Sequence, residues 1–192
     1  LIGGGSNSVR VGMVTMANHG VLCLDEAAEF ERSVLDALRQ PLESGVVTIA
    51  RSGFQSVMPA RFQLVLASNP CPCGKFIGTG AQCSCSSQVR RRYFSRLSGP
   101  LLDRIDLRVT LERPSLAELD PSSGELEGTE VVAARVAQAR ERAAHRYRGE
   151  PWTINSQVPG PMLRRRYPVT QSAGELLAND SLEISARGAD RI

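Results

Sequence analysis

Residues 19–30, HGVLCLDEAAEF, decide the fold. Gly20-Val21-Leu22-Cys23-Leu24 is a short, continuous apolar run, the pattern of a strand buried in a parallel sheet. It delivers Asp25 and Glu26 at its carboxyl end, which is where ligands bind in open α/β sheets. Working outward, Ala27–Leu38 places Phe30, Val34, Leu35 and Leu38 on one helical face, and Pro41 is expected to end or kink that helix. Val46–Ala50 and Phe54–Met58 flank Arg51-Ser52-Gly53 and predict a hairpin. Phe62–Ala67 predicts a second buried strand, running into Ser68-Asn69-Pro70. Gln88–Leu97 reads as a helix and Ile105–Leu111 as a third strand. The class is α/β.

The 192 residues are 42% hydrophobic and 22% charged, which excludes wholesale disorder. No apolar run approaches the ~18 residues that a membrane helix needs. The first residues, LIGGGSNSVR, do not read as a secretory signal. Five cysteines, four of them close together, suit a reduced compartment and a metal better than disulfides, so a cytoplasmic location is expected. A net charge of +3 is too small to imply nucleic acid by itself. Lys75 is the only lysine among 23 basic residues, which reads as a coding bias toward arginine. Residues 1–112 form the α/β part. Residues 113–128, RPSLAELDPSSGELEG, read as a linker. Residues 129–192 are expected to be helical. Thr129–Tyr147 there carries Val132, Val136 and Ala139 on one face, and further helices follow near 161–166 and 170–179.

Several residues carry candidate chemistry. Asp25 can hold the water shell of Mg²⁺, and Glu26 can polarise an attacking water. Asn69, at the end of the next strand, can align that water. Arg104, in LSGPLLDRIDL, can reach a phosphate in a neighbouring subunit. Each has a plain structural alternative: helix-start acids favoured by the dipole, a turn starter, a surface ion pair. Their occurrence in this order favours nucleotide hydrolysis. Cys71, Cys73, Cys83 and Cys85 form two close pairs able to surround one structural Zn²⁺. Unmetallated thiols and a redox-sensitive pair are the alternatives. Cys23 reads as a buried apolar residue. Arg90, Arg91, Arg92 and Arg96, interleaved with Tyr93 and Phe94, can meet a nucleic-acid backbone or a subunit, but a solvated helix face is the preferred reading. His19 and His145 support no catalytic role.

The segments LIGGGS, HGVLCLDEAAEF, LDALRQPLESG, PARFQLVLASNPCPCG, RRRYFSRLSGPLLDRID and ISARGADRI together resemble the AAA+ module of the magnesium-chelatase-like ComM (YifB) family, over almost the whole chain. The resemblance implies a partial AAA+ P-loop sheet followed by a small helical lid. It makes Asp25 and Glu26 the Walker B pair, Asn69 the sensor 1 residue, Arg104 the arginine finger and Arg187 the sensor 2 arginine. The Val46–Met58 hairpin matches the insertion before sensor 1, and Gly3–Met16 resembles part of a helix insertion. Both face the pore in related hexameric motors. One departure stands out: no G-x-x-x-x-G-K-[ST] occurs, and Lys75 is not in such a context. The chain is therefore expected to be a piece of a longer ATPase that begins after the phosphate loop and holds half of an ATP site. Alone it should neither bind ATP tightly nor hydrolyse it. With its phosphate-loop strand missing, it is expected to dimerise, swap an element or be marginally stable.

For the longer protein the resemblance implies ATP and Mg²⁺ as cofactors and a hexameric DNA helicase that promotes branch migration in recombination. Arg51, on the predicted hairpin, is the first residue suspected of touching phosphate. The alternative is the motor of a magnesium chelatase acting on a protein partner. A scaffold module that needs no nucleotide is a third reading, which the joint presence of Asp25, Glu26, Asn69, Arg104 and Arg187 opposes.

Overall fold

In the computed structural model, residues 1–4, 10–51, 54–112, 114 and 127–177 are described, and they fall into two units, Leu1–Arg108 and Val109–Ile192. The first unit opens with two short antiparallel strands, β1 (Gly3–Gly4) and β2 (Arg10–Val11), and one helical turn, α1 (Met13–Met16). Strand β3 (Val21–Leu24) follows. A 3-10 turn over Ala27–Glu29 then leads to α2 (Arg32–Asp36) and α3 (Arg39–Ser44). Strands β4 (Val46–Arg51) and β5 (Phe54–Pro59) form an antiparallel hairpin in which Arg51 pairs with Phe54. Strand β6 (Gln63–Leu66) lies parallel to β3, with Val21 opposite Gln63 and Leu24 opposite Leu66. Helices α4 (Ser87–Phe94) and α5 (Gly99–Leu102) complete the unit.

The elements close around one apolar cluster: Val14, Leu22 and Leu24, Leu35 and Leu38, Val47 and Ile49, Ala60 and Leu101. On β3 and β4 alternate residues enter this cluster, Leu22 and Leu24 from the one and Val47 and Ile49 from the other. Helix α3 ends at Gly45, whose left-handed backbone (φ 69°) lets its N–H reach the Pro41 carbonyl at 2.9 Å. That glycine turns the chain directly into β4.

Five expectations are corrected. Strands β3 and β6 are not buried on both faces. Leu22 and Leu24 point inward, while Val21 and Val65 are exposed, because among the described residues no layer covers their second face. Cys23, which alternates with the buried Leu22 and Leu24, is exposed as Val21 and Val65 are. The segment Ala27–Leu38 is broken rather than one helix, and Pro41 sits inside α3. Pro41 is in the first turn, where its missing N–H has no intrahelical acceptor to lose. Residues 105–111 form no strand, and Leu107, Val109 and Leu111 lie exposed without a ladder partner among the described residues.

In the second unit, α6 (Thr129–Arg146) is followed by a 3-10 turn over Asn155–Gln157, α7 (Gly160–Arg166) and α8 (Gln171–Leu177). Its small core is Tyr147, Trp152 and Val158, packed by Met162, Leu163 and Tyr167. The Tyr147 and Tyr167 rings meet edge to face at 5.6 Å, and the Tyr147 hydroxyl donates to Asn155 Oδ1 at 2.8 Å. The face carrying Val132, Val136 and Ala139 is exposed, so only the end of this helix joins the core.

Two stability outcomes follow from the first unit. Leu35 is fully buried in the cluster, so Leu35→Ala is expected to cost about 3 kcal/mol in urea denaturation. Ser98 caps α5 by accepting from the Leu101 N–H, and its hydroxyl donates to Asp36 Oδ1 at 2.5 Å. That bond, then the neighbouring Arg32 and Arg39, hold the Asp36 carboxyl below its ordinary value against the cost of burial. A depressed carboxylate stabilises the fold above its unfolded value of about 3.9, and the gain is lost as pH falls through the folded value. Ser98→Ala is thus expected to cost about 2 kcal/mol at neutral pH and measurably less in acid, where only the cap is lost.

Candidate functional site

The register of β3 with β6 sets the site. Past Leu24 and Leu66 the two chains stay stitched: Ala67 N–H donates to the Leu24 carbonyl at 3.0 Å, and Ala27 N–H to the Ala67 carbonyl at 2.8 Å. Asp25 and Glu26 therefore leave the same sheet edge as Ser68 and Asn69, and all four are exposed there. Asp25 Oδ1 accepts from the Glu26 N–H at 2.8 Å, which fixes the direction of its carboxylate. Glu26 itself has φ 50°, a left-handed conformation that costs an L-residue about 1–2 kcal/mol. The Glu29 N–H donates to its carbonyl at 2.7 Å and holds the turn. Backbone strain on an exposed carboxylate, at the carboxyl end of a parallel strand, fits a binding edge rather than a simple helix start. Exposed carboxylate oxygens are of the donor class that Mg²⁺ takes, and Asp25 could offer one.

Arg104 is placed elsewhere. Its guanidinium folds back on its own unit: Nη2 pairs with the Glu43 carboxylate at 2.6 Å, and Nη1 donates to the Pro100 carbonyl at 2.5 Å. Its side chain is 9% exposed, so it is not displayed as the sequence suggested. Glu43, on α3, is a partner to which no sequence pattern pointed. Arg187, the hairpin tip Ser52-Gly53 and the side chain of Arg51 lie outside the described residues.

The four cysteines converge. Cys71 Sγ lies 3.3 Å from Cys73 Sγ and 3.6 Å from Cys83 Sγ, Cys73 Sγ lies 3.7 Å from Cys83 Sγ, and all four sulfurs fall within 4.8 Å of one another. A tetrahedral site with ~2.3 Å metal–sulfur bonds separates its sulfurs by about 3.8 Å, so the donor set fits Zn²⁺. The left-handed Gly74 (φ 71°) closes the first pair into a tight turn, its N–H donating to the Cys71 carbonyl at 2.9 Å. The Lys75 N–H, followed by the neighbouring thiols, brings Cys73 down to about 6. At Cys85 the Cys73 N–H favours the thiolate, but burial and the neighbouring sulfurs outweigh it and raise the thiol to about 11. Crowded sulfurs cannot all ionise together, and a divalent cation among them removes that conflict.

Helix α4 ties these two places together. At its start Arg90 donates to the Cys85 carbonyl at 2.7 Å and lies 4.1 Å over the Phe76 ring. Beyond its end Arg96 donates to the Ala28 carbonyl at 2.8 Å and pairs with Glu29 at 3.2 Å. The basic cluster is therefore only half a solvated face. Arg91 and Arg92 are exposed, whereas Arg90 and Arg96 are structural bolts. Tyr93, between them, is buried at 4% exposure. An aromatic residue inside a basic run was the only signal for this role.

A parallel strand pair with acidic and amide residues at one edge, beside a four-thiol lobe, describes a mixed α/β protein. The family model described as Magnesium chelatase, subunit ChlI matches residues 1–119, and the one described as Magnesium chelatase, subunit ChlI C-terminal matches residues 126–192. The chain belongs to this magnesium chelatase ChlI family, a membership that implies a P-loop fold. An uncharacterised protein of Mycobacterium tuberculosis is 46% identical over all of this chain and 38% of its own length. The competence protein ComM of Haemophilus influenzae is 48% identical over 74% of this chain and 26% of its own. The uncharacterised protein YifB of Escherichia coli is 39% identical over 86% of this chain and 31% of its own. The chain thus spans between about a quarter and two fifths of the length of these relatives. No helix among the described residues is long and apolar enough to cross a membrane.

The sulfur geometry sets a measurable outcome. Protein purified under reducing conditions is expected to carry about one zinc per chain by elemental analysis. Cys73→Ser and Cys83→Ser should each lose most of it. Four thiols that react at once with a thiol reagent in native, metal-free protein would contradict this.

Proposed function

We propose that this chain is the Walker B, sensor 1 and arginine-finger part of a ring-forming ATPase, a ComM-type motor that moves DNA during branch migration. The observation that supports it most is the parallel register that sets Asp25, Glu26 and Asn69 at one strand edge, in a chain of this family. Magnesium ATP brings the γ-phosphoryl group and a cation that neutralises its developing charge. Asp25 binds the cation side, Glu26 takes up the proton of the attacking water, and Asn69 orients that water. Arg104 serves a neighbouring subunit, leaving Glu43 to do so, and Arg187 serves from the helical part of the chain. The site is therefore shared between subunits, which is why a ring, most simply a hexamer, is required. On this reading residues 1–112 are the sheet-bearing part, 113–128 a linker and 129–192 a lid. The four cysteines hold a structural Zn²⁺, since no ligand position is left for chemistry.

The likeness to a competence protein and the exposed Arg91 and Arg92 favour DNA as the track. The description of the family model favours the second reading, a chelatase-type motor that remodels a protein partner. ATP hydrolysis by the full-length protein, measured with and without branched and single-stranded DNA, separates the two. DNA is expected to stimulate hydrolysis, and Glu26→Gln to lower it by a factor of about 100 or more. Hydrolysis that ignores DNA would replace the DNA motor by the chelatase-type reading.

A further inference from the structure

The second unit concentrates charge that its own fold does not use. Residues 140–148, RERAAHRYR, hold four arginines and a histidine against a single glutamate, Glu141. Arg140, Arg142, His145, Arg146 and Arg148 are all exposed. Two other arginines of the unit are paired, Arg135 with Glu127 at 2.7 Å and Arg166 with Glu150 at 2.5 Å. Here, by contrast, Arg142 donates to the neutral Gln138 amide oxygen at 2.9 Å, and Arg146 lies 6.0 Å from the Tyr147 ring. Among the described residues, none of these four arginines forms an ion pair with a carboxylate.

Helix chemistry accounts for part of this. His145 and Arg146 lie in the last turn of α6, where the helix dipole favours cations. Arg140 and Arg142 precede that turn, and Arg148 lies beyond it. Arg142 and Arg146, four residues apart, are like charges on neighbouring positions, an arrangement that weakens a helix. Like charges kept side by side without an internal counter-ion point to one outside. Arg142, His145 and Arg148, with Glu141 and Ala144, also line an open cavity of about 610 Å³. The geometry points to this surface as a binding site for the phosphodiester backbone of DNA, with Arg142 and Arg148 as its main phosphate contacts. The inference rests on the DNA reading proposed above.

The lining of the cavity says what kind of contact it makes. No aromatic ring is among its residues, so nothing there stacks a base, and binding is to the backbone whatever the sequence. Guanidinium forks match phosphate oxygens two at a time, and the His145 ring adds an N–H donor. A protein partner would look for an apolar or aromatic anchor at the centre of its contact, and Ala144 is the only apolar side chain here. Glu141 repels a phosphate, so the surface carries one group of each effect.

The test is a titration of the full-length protein with fluorescent oligothymidylate over a series of salt concentrations. The double variant Arg142→Gln, Arg148→Gln is expected to raise Kd about tenfold and to make the salt slope shallower by about 1.4, the share of two single-strand phosphate contacts. Glu141→Gln should tighten binding about twofold. ATP hydrolysis without DNA should stay parental in both. Parental Kd and slope in the double variant, or a weaker Kd with the parental slope, would overturn the inference. Should the double variant fail to fold, Glu141→Gln decides, and unchanged or weaker binding there overturns it. A parental protein that neither binds oligothymidylate nor hydrolyses ATP faster with DNA removes the DNA reading and this surface with it. DNA-stimulated hydrolysis, with parental Kd and slope in the double variant, removes the surface alone. Poly-glutamate bound by the parental protein and lost by the double variant, with oligothymidylate binding intact, overturns the inference in favour of an acidic protein.

Discussion

The parallel pairing of β3 with β6 is the constraint on which the rest of the first unit depends. Four residue pairs, Val21–Gln63 through Leu24–Leu66, set which side chains reach the core and which leave the strand ends together. Parallel ladders cannot be closed by a tight turn, so the chain between the strands must make an excursion. Here the excursion consists of α2, α3 and the β4–β5 hairpin, whose Leu35, Leu38, Val47 and Ile49 bury the face that Leu22 and Leu24 present. Slip the register by one residue and the buried face becomes Val21 and Cys23. The same slip would move Asn69 off the edge of Asp25 and Glu26. Packing and site geometry are therefore specified by one set of hydrogen bonds.

The cysteine lobe adds a second constraint to a region that hydrophobic burial barely holds. Residues 72–85 contribute no side chain to the core cluster. Their order comes from tight turns, from Phe76 lying under Arg90, and from the convergence of four sulfurs. A tetrahedral metal converts that convergence into bonds, and a short lobe with little apolar area gains most from such cross-links. Because β6 enters the lobe and α4 leaves it, rigidity there passes directly to both ends of the strand edge.

What could be read from sequence followed from period and punctuation. The apolar run of β3, the hairpin around residues 51–53 and the helix from Thr129 rest on local pattern, and local pattern is what one sequence displays. The α/β class and the convergence of the four cysteines were legible for the same reason. The misreadings share a cause as well. Cys23, Val65 and residues 105–111 were read from apolar character alone, which does not say whether a layer exists to cover them. Pro41 misled because its effect depends on its position in a helix: interior prolines break, first-turn prolines start. Arg90 and Arg96 were invisible as tethers, since each acts on a backbone carbonyl. Backbone carbonyls leave no mark in a sequence.

Arg104 shows how that long-range invisibility bears on function. In this structure its guanidinium has two acceptors of its own, the Glu43 carboxylate and the Pro100 carbonyl, and little exposed surface. An arginine that serves another subunit must exchange these for a phosphate. Glu43 is half exposed, so the pair is partly screened by solvent and its net worth is small. A triphosphate held in a dry subunit interface offers several negative oxygens in the forked geometry that guanidinium matches. On the proposed reading, the exchange is therefore favourable only when a nucleotide-bearing neighbour is in place. On that reading, Arg104 held by Glu43 waits for that neighbour, and the shared site would be assembled by the ring rather than by either subunit alone.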